Sequence, residues 1–247
     1  MAENSKIEWC DHTFNPWIGC TKISPACDHC YAETLNNRFG GGNWGAKAPR
    51  RRTVESNWNK PLKWNKGAEK KGIRYKVFCA SMADVFDNAV PKEWRADLWD
   101  LIKATPNLDW LILTKRPQNI TKMLPNDWGF SGYDNVWLGT TIENQKVANQ
   151  NLPIFLDIPA KIHFLSCEPL LEEINLIDFL PFLDWIIVGG ESGKGARPMN
   201  PEWVRSIRYD CSHTKTPFLF KQWGGENKKA TGRKLDGKTY TEFPINI

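Results

Sequence analysis

Cys20, Cys27 and Cys30 fall within the stretch Cys20-Thr-Lys-Ile-Ser-Pro-Ala-Cys27-Asp-His-Cys30. Three thiolates can fill three corners of a tetrahedral metal, or bind three irons of a four-iron cluster, and either leaves one coordination position open. An open position implies reactivity. The same spacing also suits a closed structural zinc site, with Cys10, His12 or His29 as the fourth ligand. On residues alone both uses stand. Cys79, Cys167 and Cys211 sit in or beside apolar runs, where cysteine behaves as a small hydrophobe. Cys167 differs in standing next to Glu168, a pairing suited to acid/base or radical-quenching work.

Several elements must position this loop. Six apolar runs rich in β-branched and aromatic residues recur at intervals of roughly 25 to 33 residues: Lys76–Ser81, Asp109–Thr114, Asn135–Thr140, Lys161–Ser166, Asp184–Gly189 and Pro217–Gln222. Near-continuous apolarity marks strands covered on both faces, and each gap is long enough for a crossover helix. The expected fold class is therefore α/β, a partial (β/α) barrel of about six parallel strands. A weaker strand over Lys6–Cys10 precedes the cysteine loop, and a helix over His29–Phe39 follows it. Pro91–Ile102 places Trp94, Leu98, Leu101 and Ile102 on one helical face, and Asn200-Pro201-Glu202 is a capped helix start. The barrel is expected over 1–225, with a basic aromatic insertion at 40–76. A hairpin tail turning at Leu235-Asp236-Gly237-Lys238 is expected over 226–247.

Each strong run ends in polar or small residues: Ser81 and Asp84; Lys115 and Arg116; Thr140, Glu143 and Asn144; Cys167 and Glu168; Gly189, Gly190 and Glu191; Lys221 and Gln222. In parallel α/β folds the carboxyl ends of the strands line the ligand site, so these residues are expected to converge. Glu168 and Glu191 suit acid/base work or cofactor hydroxyls, and Lys115 suits an anionic group. An ion-pair network at the barrel mouth accounts for the same residues. The glycine cluster from Gly189 lacks the Gly-Lys-Ser/Thr order of a phosphate-binding loop, which argues against nucleoside triphosphate hydrolysis.

The chain of 247 residues is 41% hydrophobic and has no apolar run of about eighteen residues and no basic-then-apolar leader, so a cytoplasmic protein in a bacterial or phage-infected cell is expected, with no membrane partner. Seven cysteines, an odd set, argue for ligation or burial over disulfides. Between Lys47 and Lys76 eleven Lys and Arg stand against two Glu, a local charge of +9 that leaves −4 for the rest of a chain carrying +5. Interleaved with Trp44, Trp58, Trp64 and Tyr75, this segment suits a single-stranded nucleic acid or nucleotide partner. A solvated insertion whose tryptophans cover the barrel is the alternative.

Thr13–Cys20, Cys27-Asp-His-Cys30-Tyr31-Ala-Glu33, Ser166-Cys-Glu-Pro-Leu170, Val188–Ser192 and Phe220–Gly224 together resemble a poorly characterised phage and bacterial family of three-cysteine, radical-SAM-like proteins. The resemblance implies a 4Fe-4S cluster on Cys20, Cys27 and Cys30, with S-adenosyl-L-methionine (SAM) on the fourth iron. Reductive cleavage would then lead to hydrogen abstraction from a substrate such as a nucleobase or nucleic acid, with electrons from an external donor and a partner protein as a further component. By position it also implies that Ser81 and Asp84 hold the SAM amino group, that Thr140, Glu143 and Asn144 bond the ribose, and that Gly189 and Gly190 lie against the adenine. Most radical SAM enzymes place three residues between the first two cysteines, whereas six intervene here. A zinc-containing nucleic-acid-binding protein, and an iron-sulfur protein without SAM chemistry, are the alternative functions.

Overall fold

The structure is a computed structural model that describes residues 3–244; the last three residues of the expected tail lie outside it. The chain divides into two compact units. One comprises the residues up to Lys22 with Ala32–Leu138 and Ile158–Lys161; the other comprises Ile23–Tyr31, Gly139–Asp157 and the residues from Ile162 onward.

In chain order the elements are β1 (His12–Phe14), β2 (Trp17–Ile18), α1 (Tyr31–Arg38), β3 (Arg51–Arg52), α2 (Glu55–Lys71), β4 (Tyr75–Cys79), α3 (Lys92–Lys103), β5 (Leu108–Thr114), α4 (Pro117–Met123), β6 (Val136–Thr141), α5 (Gln145–Leu156), β7 (Ile162–Cys167), β8 (Trp185–Gly189), α6 (Pro201–Thr214), β9 (Phe218–Gln222) and α7 (Lys228–Thr231). The sheet order is β1-β4-β5-β6-β7-β8-β9, with β2 and β3 paired separately. Apart from that small ribbon, neighbouring strands follow one another along the chain. This is the topology of a partial (β/α) barrel, and β1 adds a seventh strand to the six expected.

In the first unit β1 runs parallel to β4 (Phe14 opposite Cys79) and β4 parallel to β5 (Cys79 opposite Ile112). In the second, β7 runs parallel to β8 and β8 to β9. Residues of β5, β6 and β8 are buried almost without interruption, which is why these strands read as apolar runs and not as alternating ones.

Helix ends follow local chemistry. The Asn200 side chain accepts from Glu202 N at 3.0 Å and opens α6 with a proline in its first turn. Asn144 caps α5 by accepting from Val147 N at 2.8 Å. The buried residues of α3 are Arg95, Leu98, Trp99, Leu101 and Ile102, while Trp94 is half-buried.

Two elements differ from expectation. Residues 6–10 form turns, with Cys10 N donating to Ile7 O and Ile7 N to Ser5 Oγ, and the strand begins at His12. Trp9 is buried against Phe78 from that turn, so apolarity there reflects packing without a strand. The longest element of the basic insertion is the helix α2. Its buried residues Asn57, Pro61, Trp64 and Ala68 recur every three or four positions, and Trp64 stacks on His12 with ring centroids 4.4 Å apart.

The expected tail hairpin is present. Leu235 and Lys238 exchange both backbone bonds around Asp236 and Gly237, whose φ values of 50° and 77° suit a two-residue hairpin turn. Beyond it Thr241 bridges antiparallel to Leu219, with Phe220 N donating to Tyr240 O and Glu242 N to Phe218 O, so the tail lies along the free side of β9.

Candidate active site

In the first unit Cys20 follows β2, and its neighbour Thr21 is tied down twice. Arg116, just past β5, donates to Thr21 O at 2.7 Å and to Cys20 Sγ at 3.6 Å. Arg50, buried against Asp87 at 2.8 Å, donates to Thr21 Oγ1 at 2.6 Å and to the carbonyls of Asn43, Gly45 and Ala48. Charge-assisted bonds of this kind fix the Cys20 end of the loop.

Asp84 organises this arrangement. Its Oδ1 accepts from Phe86 N and Thr114 Oγ1, and its Oδ2 from Arg116 Nη1 at 2.8 Å and Lys115 N at 3.3 Å. A carboxylate has about four acceptor sites. Asp84's are filled by the protein, which makes it the anchor of Arg116. Ser81 receives Asn15 Nδ2 at 3.0 Å, and Asn15 Oδ1 accepts from Met82 N, so Asn15 shapes the turn after β4. Lys115 is half-buried. Burial and the Asp84 charge push the Cys20 thiol up to about 11 against the opposing pull of Arg116. Unligated Cys20 is therefore a thiol, and a metal would have to displace its proton.

In the second unit Glu191 plays the corresponding part. Its Oε1 accepts from Arg197 Nη2 at 2.5 Å; its Oε2 accepts from Arg197 Nε and Arg197 N, and lies 2.8 Å from His29 Nδ1. Arg197 reaches onward to Pro25 O and Asp28 Oδ2, which fixes the turn containing Cys27. Burial alone would raise the Glu191 carboxyl, but the Arg197 and His29 bonds outweigh it and hold the group at about 2. A carboxylate depressed in the fold stabilises it fully above its unfolded pKa of about 4.5 and loses that contribution as pH falls toward 2. Between pH 5 and 2 the wild type is expected to lose about 3 kcal/mol through this group, a decline that Glu191→Gln removes; acid titration of urea-unfolding free energies measures it.

Glu143, just past β6, is wholly buried, and neither carboxylate oxygen has a hydrogen-bond partner among the described residues, although its carbonyl accepts from Leu171 N. Thr140 is also wholly buried, and Asn144 is occupied as the cap of α5. Cys167 has no exposed surface, and burial drives its thiol far above the usual range. Glu168 and Lys221, each less than a fifth exposed, pair at 2.5 Å at the ends of β7 and β9. Gln222 Nε2 donates to Ser192 Oγ at 2.7 Å. Gly189 faces the Glu168 side chain, and a Cβ on Gly190 would lie 2.0 Å from Trp223 O, so the close approach at Gly190 is made by the protein's own backbone.

The strand ends thus assemble as two groups: Cys20, Ser81, Asp84 and Lys115 in the first unit, and Cys27, Cys30, Glu143, Cys167, Glu168, Gly189, Gly190 and Glu191 in the second. Arg50, Asp87, Arg197 and Asn15 were not singled out by the sequence. No motif marks an arginine that will hold a loop, although the closely spaced pair Asp84 and Asp87 is a usable signal.

None of the seven cysteines is in a disulfide, which suits the donor chemistry of an iron-sulfur cluster. Among the described residues no three His, Cys, Asp or Glu already form a group that could hold a metal ion. Of the zinc ligands considered, Cys10 is buried beside Ser5 Oγ, and His12 is buried, stacked on Trp64 and edge-on to Tyr75. Both lie at the opposite end of β1 from the loop. His29 is the remaining candidate. No helix among the described residues is long and apolar enough to cross a membrane.

A family model described as "Protein of unknown function (DUF5131)" matches residues 4–244. No curated protein matches the chain. Two spore photoproduct lyase structures are similar at 13% identity. One is a double mutant with bound AdoMet and dinucleoside spore photoproduct (TM-score 0.49), the other a complex with the dinucleoside spore photoproduct (TM-score 0.48). The match covers 84% of this chain and 62% of each of those, a likeness too slight to bear on function.

Proposed function

Because the chain belongs to the DUF5131 family, whose function is unknown, we propose its chemistry from the site itself: radical SAM catalysis, with a four-iron cluster on Cys20, Cys27 and Cys30. The observation that carries this reading is Glu143, whose buried carboxylate has two oxygens without a donor among the described residues, at the carboxyl end of a parallel strand. An unpaired buried carboxylate is costly, and a ligand bearing hydroxyl or ammonium donors relieves it. SAM carries both. When bound, the cluster and SAM supply one-electron cleavage of a sulfonium and, from it, hydrogen-atom abstraction.

The chain's own residues do the rest. Arg116 and Arg50 hold the Cys20 end of the loop, while Arg197 and Glu191 hold the turn bearing Cys27. Glu143 accepts from the ligand's hydroxyls or ammonium. Glu168 and Lys221 offer an acceptor and a donor side by side to the substrate. Cys167, wholly buried, keeps its proton.

Protein purified anaerobically is expected to contain about four irons per chain and to release 5′-deoxyadenosine when given SAM and dithionite, the latter standing in for a donor protein. Cys27→Ala is expected to lose the iron and Cys10→Ala to retain it. Glu143→Ala is expected to keep the iron while SAM affinity, read by equilibrium dialysis, falls at least about tenfold, the loss of one charge-assisted hydrogen bond. Stoichiometric zinc without iron would sink the reading in favour of a zinc-containing binding protein. A retained cluster without deoxyadenosine would replace it with electron transfer.

A further inference from the structure

The exposed side of α2 is a row of cations. Lys63, Lys66 and Lys70 follow one another at intervals of three and four residues, opposite the buried Asn57, Pro61, Trp64 and Ala68. All three are exposed, and none forms an ion pair among the described residues; the same holds for the exposed Lys47 and Arg51. The other three arginines of the segment behave differently: Arg50 pairs with Asp87, Arg52 with Asp97 and Arg74 with Asp109. Asp87, Asp97 and Asp109 thus neutralise those three arginines, while on α2 five lysines stand against Glu55 and Glu69 and leave the helix a net charge of +3. A field of one sign on a rigid element attracts a polyanion.

The aromatic residues of the segment narrow the choice of partner. Trp64 is buried on His12. Trp58 packs edge-on to Phe14 with the Arg52 guanidinium 4.0 Å above its ring, and Lys71 lies over Tyr75. With these ring faces taken, stacking on the bases of a single strand is not what α2 offers. A lipid surface fits poorly as well, since the apolar side of the helix is already used in the core. From Lys63 to Lys70 the helix rises ~10 Å at 1.5 Å per residue, about three phosphate steps of one duplex strand at 3.4 Å each.

We propose that α2 is a docking face for the phosphate backbone of duplex nucleic acid, engaged through Lys63, Lys66 and Lys70 without base readout. This inference does not rest on the cofactor reading. The test is fluorescence anisotropy of the full chain with a labelled 20-base-pair DNA duplex at 50 to 200 mM salt, with the matching single strand and anionic phosphatidylserine vesicles as comparison probes. The wild type is expected to bind the duplex with a dissociation constant of about 1–100 μM, log affinity falling linearly with log salt. Lys63→Gln, Lys66→Gln and Lys70→Gln together should weaken binding at least about tenfold and flatten the salt slope by about 2.7, roughly 0.9 for each lost contact. Neutralising Lys122, Lys146 and Lys161, exposed lysines outside the segment, should change neither comparably. The proposal is overturned if the wild type does not bind the duplex, if the α2 variant keeps the wild-type slope, if the control variant loses as much, or if single strands or vesicles bind more tightly than duplex.

Discussion

Replacing Arg116 by methionine is expected to destabilise the first unit by about 3–5 kcal/mol, the loss typical of removing one partner from a buried ion pair. Asp84 is 5% exposed and Arg116 likewise, so solvent cannot take over the missing charge. The variant leaves Asp84 with Phe86 N, Lys115 N and the Thr114 hydroxyl, but without the cation hydrogen-bonded to it. Urea unfolding reads the loss. A double variant that also carries Asp84→Asn should recover much of it, because replacing both members of a buried pair removes the uncompensated charge. A single-variant loss below about 1 kcal/mol would mean that the pair is better hydrated than its burial implies. Thr21 O also loses the Arg116 donor in the single variant, so on the proposed cluster reading iron loading should fall more than the stability change alone predicts.

The second large effect is expected at Gly190. An alanine Cβ there would sit 2.0 Å from Trp223 O and 2.7 Å from Trp223 C, and no rotamer change relieves a collision with backbone. Gly190→Ala must therefore part the chain beyond β8 from the chain beyond β9, breaking the bond from Gly190 N to Gln222 O. The expected penalty is at least about 3 kcal/mol, at the upper end for overpacking, and a fall in melting temperature of at least about 6 °C. Gly189→Ala is the comparison: its nearest neighbour is the Glu168 side chain at 3.3 Å, which can give way, so a loss under about 1.5 kcal/mol is expected. Similar melting temperatures for the two variants would contradict the backbone explanation.

The strands were legible because strands buried on both faces are written as continuous apolar runs; Asp109–Thr114 in sequence became Leu108–Thr114 in structure. The helix α2 was not. Pro61 inside it removes one backbone donor and reads as a breaker, and its lysines read as solvated chain, although Asn57, Pro61, Trp64 and Ala68 carried the period. At the candidate site the residue types were legible and their tasks were not. Asp84 and Glu191 were picked out as groups for cofactor or substrate, yet the structure occupies both with arginines that hold the cysteine loop. Spacing cannot reveal which carboxylate keeps a free oxygen. That depends on donors brought from distant segments, as Arg116 is brought to Cys20 across more than ninety residues.

The antiparallel pairing of Tyr240–Glu242 along β9 bears on how the protein is made. Until those residues leave the ribosome, β9 presents an unpaired row of amides and carbonyls, a template for another nascent chain. Ribosomes crowded on one message would hold several such edges close together until Tyr240–Glu242 emerges to cap each of them.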